Sequence, residues 1–193
     1  MPEPGGDASK RHVREQARAA RRSLLPQERD RLSRSVAARV LAMPEVAAAQ
    51  ALLVYAALPE EVDTATLIGV LAGRGVLIAV PRVCGPRELT LHRIDSLEGL
   101  RPGTCDIPEP DADTEAMSPD AFDVVIVPGV AFDRTCRRIG FGGGFYDTLL
   151  PRLRPDAFTV GLAFDEQLVD EVPCEEHDRP LDALVTPTTL HRR

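Results

Sequence analysis

The chain has 193 residues, enough for one domain with a real core, and its net charge of −7 at pH 7 excludes general nucleic-acid binding. Hydrophobic residues make up 44% but aromatics only 4%, with no Trp, so the core must be built from Val, Leu, Ile and Ala. The four Cys form no C-x-x-C pair and no ligand-like spacing with the four His, so they read as small, buried or semi-buried thiols of a cytoplasmic protein.

Residues 1–8 are polar and contain Gly and Pro. They read as a disordered tail with no apolar signal core, ahead of a single domain over 9–193. A first helix is expected from Lys10 to Leu24, capped by Ser9, with Val13, Ala17, Ala20 and Leu24 on one stripe. Pro26 separates it from a second helix, 27–43. Ala51 to Tyr55 is a short apolar run and a strand. A third helix, 64–72, starts at Asp63 or Thr64 and stops at Gly73-Arg-Gly75. Val76 to Val80 is a strand closed by Pro81, and Leu89 to Ile94 alternates as a half-exposed strand. Residues 95–120, rich in Pro, Asp and Gly, read as a long surface loop. Strands follow at 122–127 and 158–164, with a short one at Leu184-Val185. No run approaches the roughly 18 apolar residues of a membrane span. Strands alternating with helices predict an α/β fold, a three-layer α/β/α domain with a mostly parallel sheet. Ligands bind such sheets beyond the carboxyl ends of the strands, where 56–64, 129–144 and 165–178 can share one rim.

The most informative stretch is Arg138-Ile-Gly-Phe-Gly-Gly-Gly-Phe-Tyr-Asp147, between a strand and an expected helix from Phe145 to Leu153. Its glycines let backbone N–H groups turn toward a ligand. The following helix adds unpaired N–H groups, which makes an anion site. Arg138 and Asp147 at its ends suit phosphate oxygens and a magnesium ion. The dinucleotide fingerprint fails at Phe145, and the P-loop fails because no Lys-Ser/Thr follows. By itself the stretch is also compatible with a tight turn. On the first helix, Lys10, Arg14, Arg18 and Arg21 fall within about 80°. Lys10 and Arg14 suit phosphates at a cleft edge, whereas Arg18 and Arg21 read equally well as a solvated face.

Taken in order, these pieces resemble the 5-formyltetrahydrofolate cyclo-ligase family. The resemblance is carried by Lys10-x-x-x-Arg14, Tyr55, Glu61-Val-Asp-Thr64, Val80-Pro-Arg-Val83 and Ile107-Pro-Glu-Pro110. It continues through Asp123 to Asp133, the Arg138 to Asp147 stretch, Val160 to Phe164, Gln167, Pro173, His177-Asp178 and Asp182-Ala-Leu-Val-Thr186. Two positions depart from the family's usual pattern. Cys136 stands where glycine is usual, and Thr148 where a basic residue is usual.

The resemblance implies ATP-dependent closure of 5-formyltetrahydrofolate to 5,10-methenyltetrahydrofolate. The formyl oxygen attacks the γ-phosphate, N10 closes the ring, and ADP and phosphate leave. It implies that Lys10, Arg14 and Arg138 hold ATP phosphates, with Arg138 and Lys10 serving the chemical step. Ile139, Gly140, Phe141, Gly142, Gly143, Gly144, Phe145 and Tyr146 would wrap the nucleotide. Asp147 and Asp182 would hold Mg2+. Glu61, with Tyr55, Phe141 and Phe145, would receive the reduced folate. His177 and Asp178 read as loop-orienting residues, and Asp63 and Thr64 as a helix start. His12, His92 and His191 read as surface or boundary residues, and Glu109 and Glu171 as solvated carboxylates. Two other readings stand beside the enzyme, which is expected to be a monomer without membrane or nucleic-acid partners. One is a non-catalytic folate- or nucleotide-binding module on the same fold. The other is a sugar-phosphate isomerase, for which the sequence offers no general-base signature.

Overall fold

Apolar runs without polar interruption form the centre of a parallel sheet, because such strands are covered on both faces. The computed structural model describes the backbone of residues 4–175 and 178–193. In chain order its helices are α1 (Pro4–Ser23), α2 (Pro26–Leu41), α3 (Pro44–Ala47), α4 (Ala65–Gly73) and α5 (Phe145–Leu149). The strands are β1 (Ala51–Leu53), β2 (Leu77–Gly85), β3 (Glu88–Ile94), β4 (Arg101–Pro102), β5 (Pro108–Glu109) and β6 (Ala116–Met117). They continue with β7 (Val124–Val127), β8 (Ala131–Phe132), β9 (Arg138–Ile139), β10 (Phe158–Leu162), β11 (Ala183–Val185) and β12 (Leu190–Arg192).

The main sheet has the order β12-β11-β10-β7-β1-β2-β3-β6. Its middle, from β11 to β2, is parallel, and β12, β3 and β6 add antiparallel edges. Alternate side chains serve opposite faces, as a period of two requires. Leu52, Val54 and Ile126 meet Val36, Val40, Leu67 and Leu71 of α2 and α4. Ala51, Leu53, Val125 and Val127 meet Phe122, Phe132, Leu149 and Leu181. The first face has a true helical layer. The second is covered by α5, the 3-10 turn Leu150–Arg152 and the β8–β9 ribbon, so the expected third layer is thin.

Local signals explain most boundaries. Pro26 and Pro44 open α2 and α3, where a missing N–H costs nothing. At the end of α4, Gly75 has φ 82°, and Val76 N–H reaches back to the Leu71 carbonyl. Only glycine takes that left-handed turn without strain. Several boundaries differ from the sequence reading: the expected helix 145–153 ends at Leu149, and the 95–120 loop carries β4, β5 and β6. α1 begins at Pro4, so residues 4–8 are helical rather than a tail. β2 runs on through Pro81, which pairs with Leu91 of β3. The register turns Pro81's nitrogen toward β1, which has already ended at Leu53, so no ladder bond is lost. α1 lies across the carboxyl end of the sheet, with Ala17 and Val13 packed on Val130, Ala131, Ile139 and Val172.

Candidate active site

A cleft of about 740 Å³ opens at the carboxyl ends of the central strands, lined by α1, the 55–61 segment, the 138–147 stretch and residues around Thr104 to Ile107. The expected rim segments 56–64, 129–144 and 165–178 all reach it, through Glu61, Gly140 and Asp178 among others.

The glycine stretch forms one wall. Gly142 and Gly144 have φ of 103° and 69°, values that only glycine adopts freely. A Cβ on Gly143 would lie 2.6 Å from the Phe145 ring, and one on Gly144 2.6 Å from Arg87 Nε. The backbone is therefore bare where a ligand would approach it. Arg14 Nε donates to the Gly140 carbonyl at 2.8 Å, which fixes α1 against the stretch. α5 has only five residues, so an anion at this wall would meet backbone N–H groups and side-chain cations rather than a long helix dipole.

Arg138 donates through Nη2 to Asp147 Oδ1 at 2.8 Å and lies over the Tyr146 ring. Its Nε is buried without a hydrogen-bond partner, as is the Tyr146 hydroxyl. Burial pushes the Tyr146 phenol well above its ordinary value, so it is present as a donor. Buried donors without partners are rare in folded proteins, and both residues line the cleft. Lys10 Nζ donates to Asp178 at 2.6 Å and pairs with Glu175 at 3.1 Å. Burial works against its charge, but the bonds to Asp178 and Glu175 outweigh burial and hold its pKa above the ordinary value.

Opposite the glycine wall, Glu61 is buried, with its Oε2 accepting from Leu58 N–H at 2.9 Å. Among the described residues nothing bonds its other oxygen. Burial raises its pKa, partly offset by the Leu58 N–H and the charge of Arg21. Tyr55 is buried beside it, lines the cleft and donates its hydroxyl to the Val62 carbonyl. Phe141 is 41% exposed, and the guanidinium groups of Arg18 and Arg21 sit 5.5 and 5.7 Å from its ring centroid. Arg21 is not on a solvated face. It is 2% exposed and paired with Glu60.

One expected metal ligand is not brought to the cleft. Asp182 precedes β11 at the amino end of the sheet, where its Oδ2 accepts from both the N–H and the hydroxyl of Thr159. The carboxylate that lines the glycine wall is Asp147, and among the described residues no group of three or more His, Cys, Asp or Glu could hold a metal. Asp63 and Thr64 do start a helix. Asp63 accepts from Ala65 N–H, and the Thr64 hydroxyl donates to the Tyr55 carbonyl.

Other minor expectations are corrected. Glu109 is buried, not solvated, and accepts from Val83 N–H and Thr104 N–H, tying the long loop to β2. His92 is buried between Thr90 and Thr114. Cys84, Cys105 and Cys174 are exposed, and only Cys136 is buried. His177 lies outside the described residues. Arg87, Thr104 and Cys105 line the cleft without having been singled out, and Ile107, quoted only for the resemblance, lines it too. The Gly85-Pro86 dipeptide marks a turn that would bring Arg87 forward, but no periodicity indicates where that turn points.

Comparisons with known proteins point to one family and one fold. The model of the 5-formyltetrahydrofolate cyclo-ligase family matches residues 6–187. A 5-formyltetrahydrofolate cyclo-ligase of Escherichia coli (strain K12) is 35% identical over 177 residues, 90% of this chain and 97% of that protein. The mouse (Mus musculus) 5-formyltetrahydrofolate cyclo-ligase is 29% identical over 197 residues, covering 93% and 94%. The NMR structure of Aquifex aeolicus 5,10-methenyltetrahydrofolate synthetase superposes with a TM-score of 0.83 at 33% identity, covering 95% of this chain and 92% of that one. A Mycoplasma pneumoniae 5,10-methenyltetrahydrofolate synthetase, at 21% identity, shares the fold with a TM-score of 0.75 over 92% and 98%.

Proposed function

The chain belongs to the 5-formyltetrahydrofolate cyclo-ligase family, and from that premise we propose that its cleft brings ATP and a reduced folate together for phosphoryl transfer. The protein is an enzyme of that family, converting 5-formyltetrahydrofolate to 5,10-methenyltetrahydrofolate. The observation that carries the nucleotide assignment is the pair of partnerless buried donors, Arg138 Nε and Tyr146 Oη, beside a glycine wall with no room for side chains. Polyphosphate oxygens would satisfy both donors and the backbone N–H groups of 140–144.

In the proposed reaction, the formyl oxygen attacks the γ-phosphorus and the bond from phosphorus to the ADP oxygen breaks. N10 then adds to the activated carbon and loses its proton, and the carbon–oxygen bond breaks to release phosphate. The chain supplies position and charge rather than a nucleophile. Arg138 holds the transferring phosphate, with Lys10 exchanging its acidic partners for phosphate oxygens. Glu61 accepts from the pterin N–H edge, with Tyr55, Phe141 and Phe145 against its rings. Mg2+ would neutralise charge on the phosphate oxygens. Asp147 suits it as a single carboxylate, because magnesium keeps water and phosphate oxygens as most of its ligands.

Among the described residues no helix is long and apolar enough to cross a membrane. The four free thiols support a cytoplasmic location. The exposed large apolar side chains, Leu25, Val70, Phe141 and Leu190, lie on separate elements, which supports a monomer.

The test is to mix the folded protein with 5-formyltetrahydrofolate, Mg2+ and ATP and follow the methenyl chromophore. Absence of an ATP-dependent product would leave only a non-catalytic binding module.

A further inference from the structure

Four cations on the cleft wall are either bonded to the protein or stacked on it. Lys10 is paired with Asp178 and Glu175. Arg14 is bonded to the Gly140 carbonyl, Arg138 to Asp147, and Arg18 is stacked on Phe141. A further cation, Arg87, reaches the same cleft from the turn between β2 and β3. Among the described residues its guanidinium meets no carboxylate. It lies instead across the bare backbone of Gly144, where a Cβ would stand 2.6 Å from its Nε and 2.9 Å from its Cζ.

Arg87 is held there by design of the backbone. Its φ is 59°, a left-handed conformation uncommon for a residue other than glycine. The Thr148 hydroxyl of α5 donates to its carbonyl at 2.6 Å. The same hydroxyl lies 2.8 Å from the Phe145 carbonyl. With a single proton it is shared between the helix and the turn. The bond ties the hairpin tip to the element that carries Asp147.

We propose that Arg87 is a phosphate-binding residue of this enzyme, closing over the nucleotide's polyphosphate from the hairpin side of Gly143-Gly144, with Thr148 as the residue that positions it. The inference rests on the reading of the cleft as a nucleotide site. A guanidinium fork fits two phosphate oxygens at once.

The experiment measures ATP, ADP and 5-formyltetrahydrofolate binding by calorimetry for the wild type, Arg87→Asn, Arg87→Lys, Thr148→Val and the double variant. Asn tolerates positive φ, so the turn is kept. Arg87→Asn is expected to weaken ATP and ADP about tenfold, the loss of one charged contact. It should flatten the salt dependence of nucleotide binding and leave folate affinity and Tm unchanged. Arg87→Lys should recover part of the loss. Thr148→Val should weaken nucleotides less than Arg87→Asn does, and add nothing in the double variant, because the two act as one unit. Wild-type ATP affinity in Arg87→Asn would overturn this proposal alone. Failure of the wild type to bind ATP would overturn the nucleotide site itself.

Discussion

The Arg138 guanidinium donates to the Asp147 carboxylate across 2.8 Å, so the cation assigned to phosphate and the anion assigned to magnesium neutralise each other. Binding of magnesium and nucleotide would exchange this pair for two others: Arg138 with phosphate, Asp147 with the metal. The exchange avoids leaving either charge uncompensated at any stage. Arg138→Ala should therefore lower kcat/KM by roughly 10²–10³-fold, as loss of a charge-stabilising donor does. Asp147→Asn should leave metal-free ATP binding near wild type and abolish the gain that Mg2+ brings. Titrations with and without Mg2+ separate the two. Equal ATP affinity of Asp147→Asn and wild type in saturating Mg2+ would rule out Asp147 as a ligand.

Glu61 should show opposing effects on stability and on binding. Burial holds its folded pKa above the ordinary 4.5, so the charge costs stability. That cost begins as pH rises past the unfolded value and is complete above the folded pKa. Glu61→Gln can keep the bond from Leu58 N–H while removing the charge. It should match the wild type in denaturant midpoint at pH 4 and exceed it at pH 8. Folate affinity should fall about 10–100-fold at pH 8, with ATP affinity unchanged. Wild-type folate affinity should itself decline as pH falls through the raised pKa, because the protonated carboxyl loses its charge as an acceptor.

Asp133 should act as the anchor of the β8–β9 ribbon. Its Oδ1 accepts from the N–H and hydroxyl of Thr135 and the N–H of Arg137, and its Oδ2 from Val172 N–H. Burial opposes its ionisation, but these hydrogen bonds outweigh burial and hold its pKa below the ordinary 3.8. Its contribution is present above the unfolded pKa and lost as pH falls through the folded one. Asp133→Ala orphans the buried Val172 N–H and should cost about 2–4 kcal/mol by chemical denaturation at pH 7. The difference from wild type should shrink at the acid end of the pH range.

Much of the sheet was legible because its central strands are uninterrupted apolar runs, buried on both faces. Leu52 and Leu53 cannot both face one layer, and Val124 to Val127 repeat the same alternation. The glycine wall was legible because positive φ and close approach leave glycine as the only tolerated residue. Asp182 was placed at the metal by the resemblance alone, not by any pattern in the residues. Only the register of β10 with β11 sets it at the amino end. Arg87 went unseen because a single arginine in a turn has neither periodicity nor spacing. Its position depends on how β2 and β3 continue past Pro81. The β8–β9 ribbon, of two residues per strand, is too short to leave any alternation.

Cys136 gives a prediction that joins backbone and side chain. It has φ 64° in a turn where its N–H donates to the Asp133 carbonyl and its carbonyl accepts from Leu181 N–H. A side chain there carries a backbone cost of roughly 1–2 kcal/mol relative to glycine. The sulfur offsets that cost by filling the core between Phe132, Leu181 and Leu184. Burial, with the charges of Asp133 and Asp182, pushes its thiol up to about 11, so almost none is thiolate at neutral pH. Native protein should therefore react with a thiol reagent at Cys84, Cys105 and Cys174, the three exposed cysteines, and at Cys136 only after denaturation. Cys136→Ala keeps the backbone cost and loses the sulfur, so it should be the least stable variant. Cys136→Gly removes the cost and leaves the cavity, and should fall between alanine and wild type. A glycine variant less stable than alanine would mean that the turn is not strained.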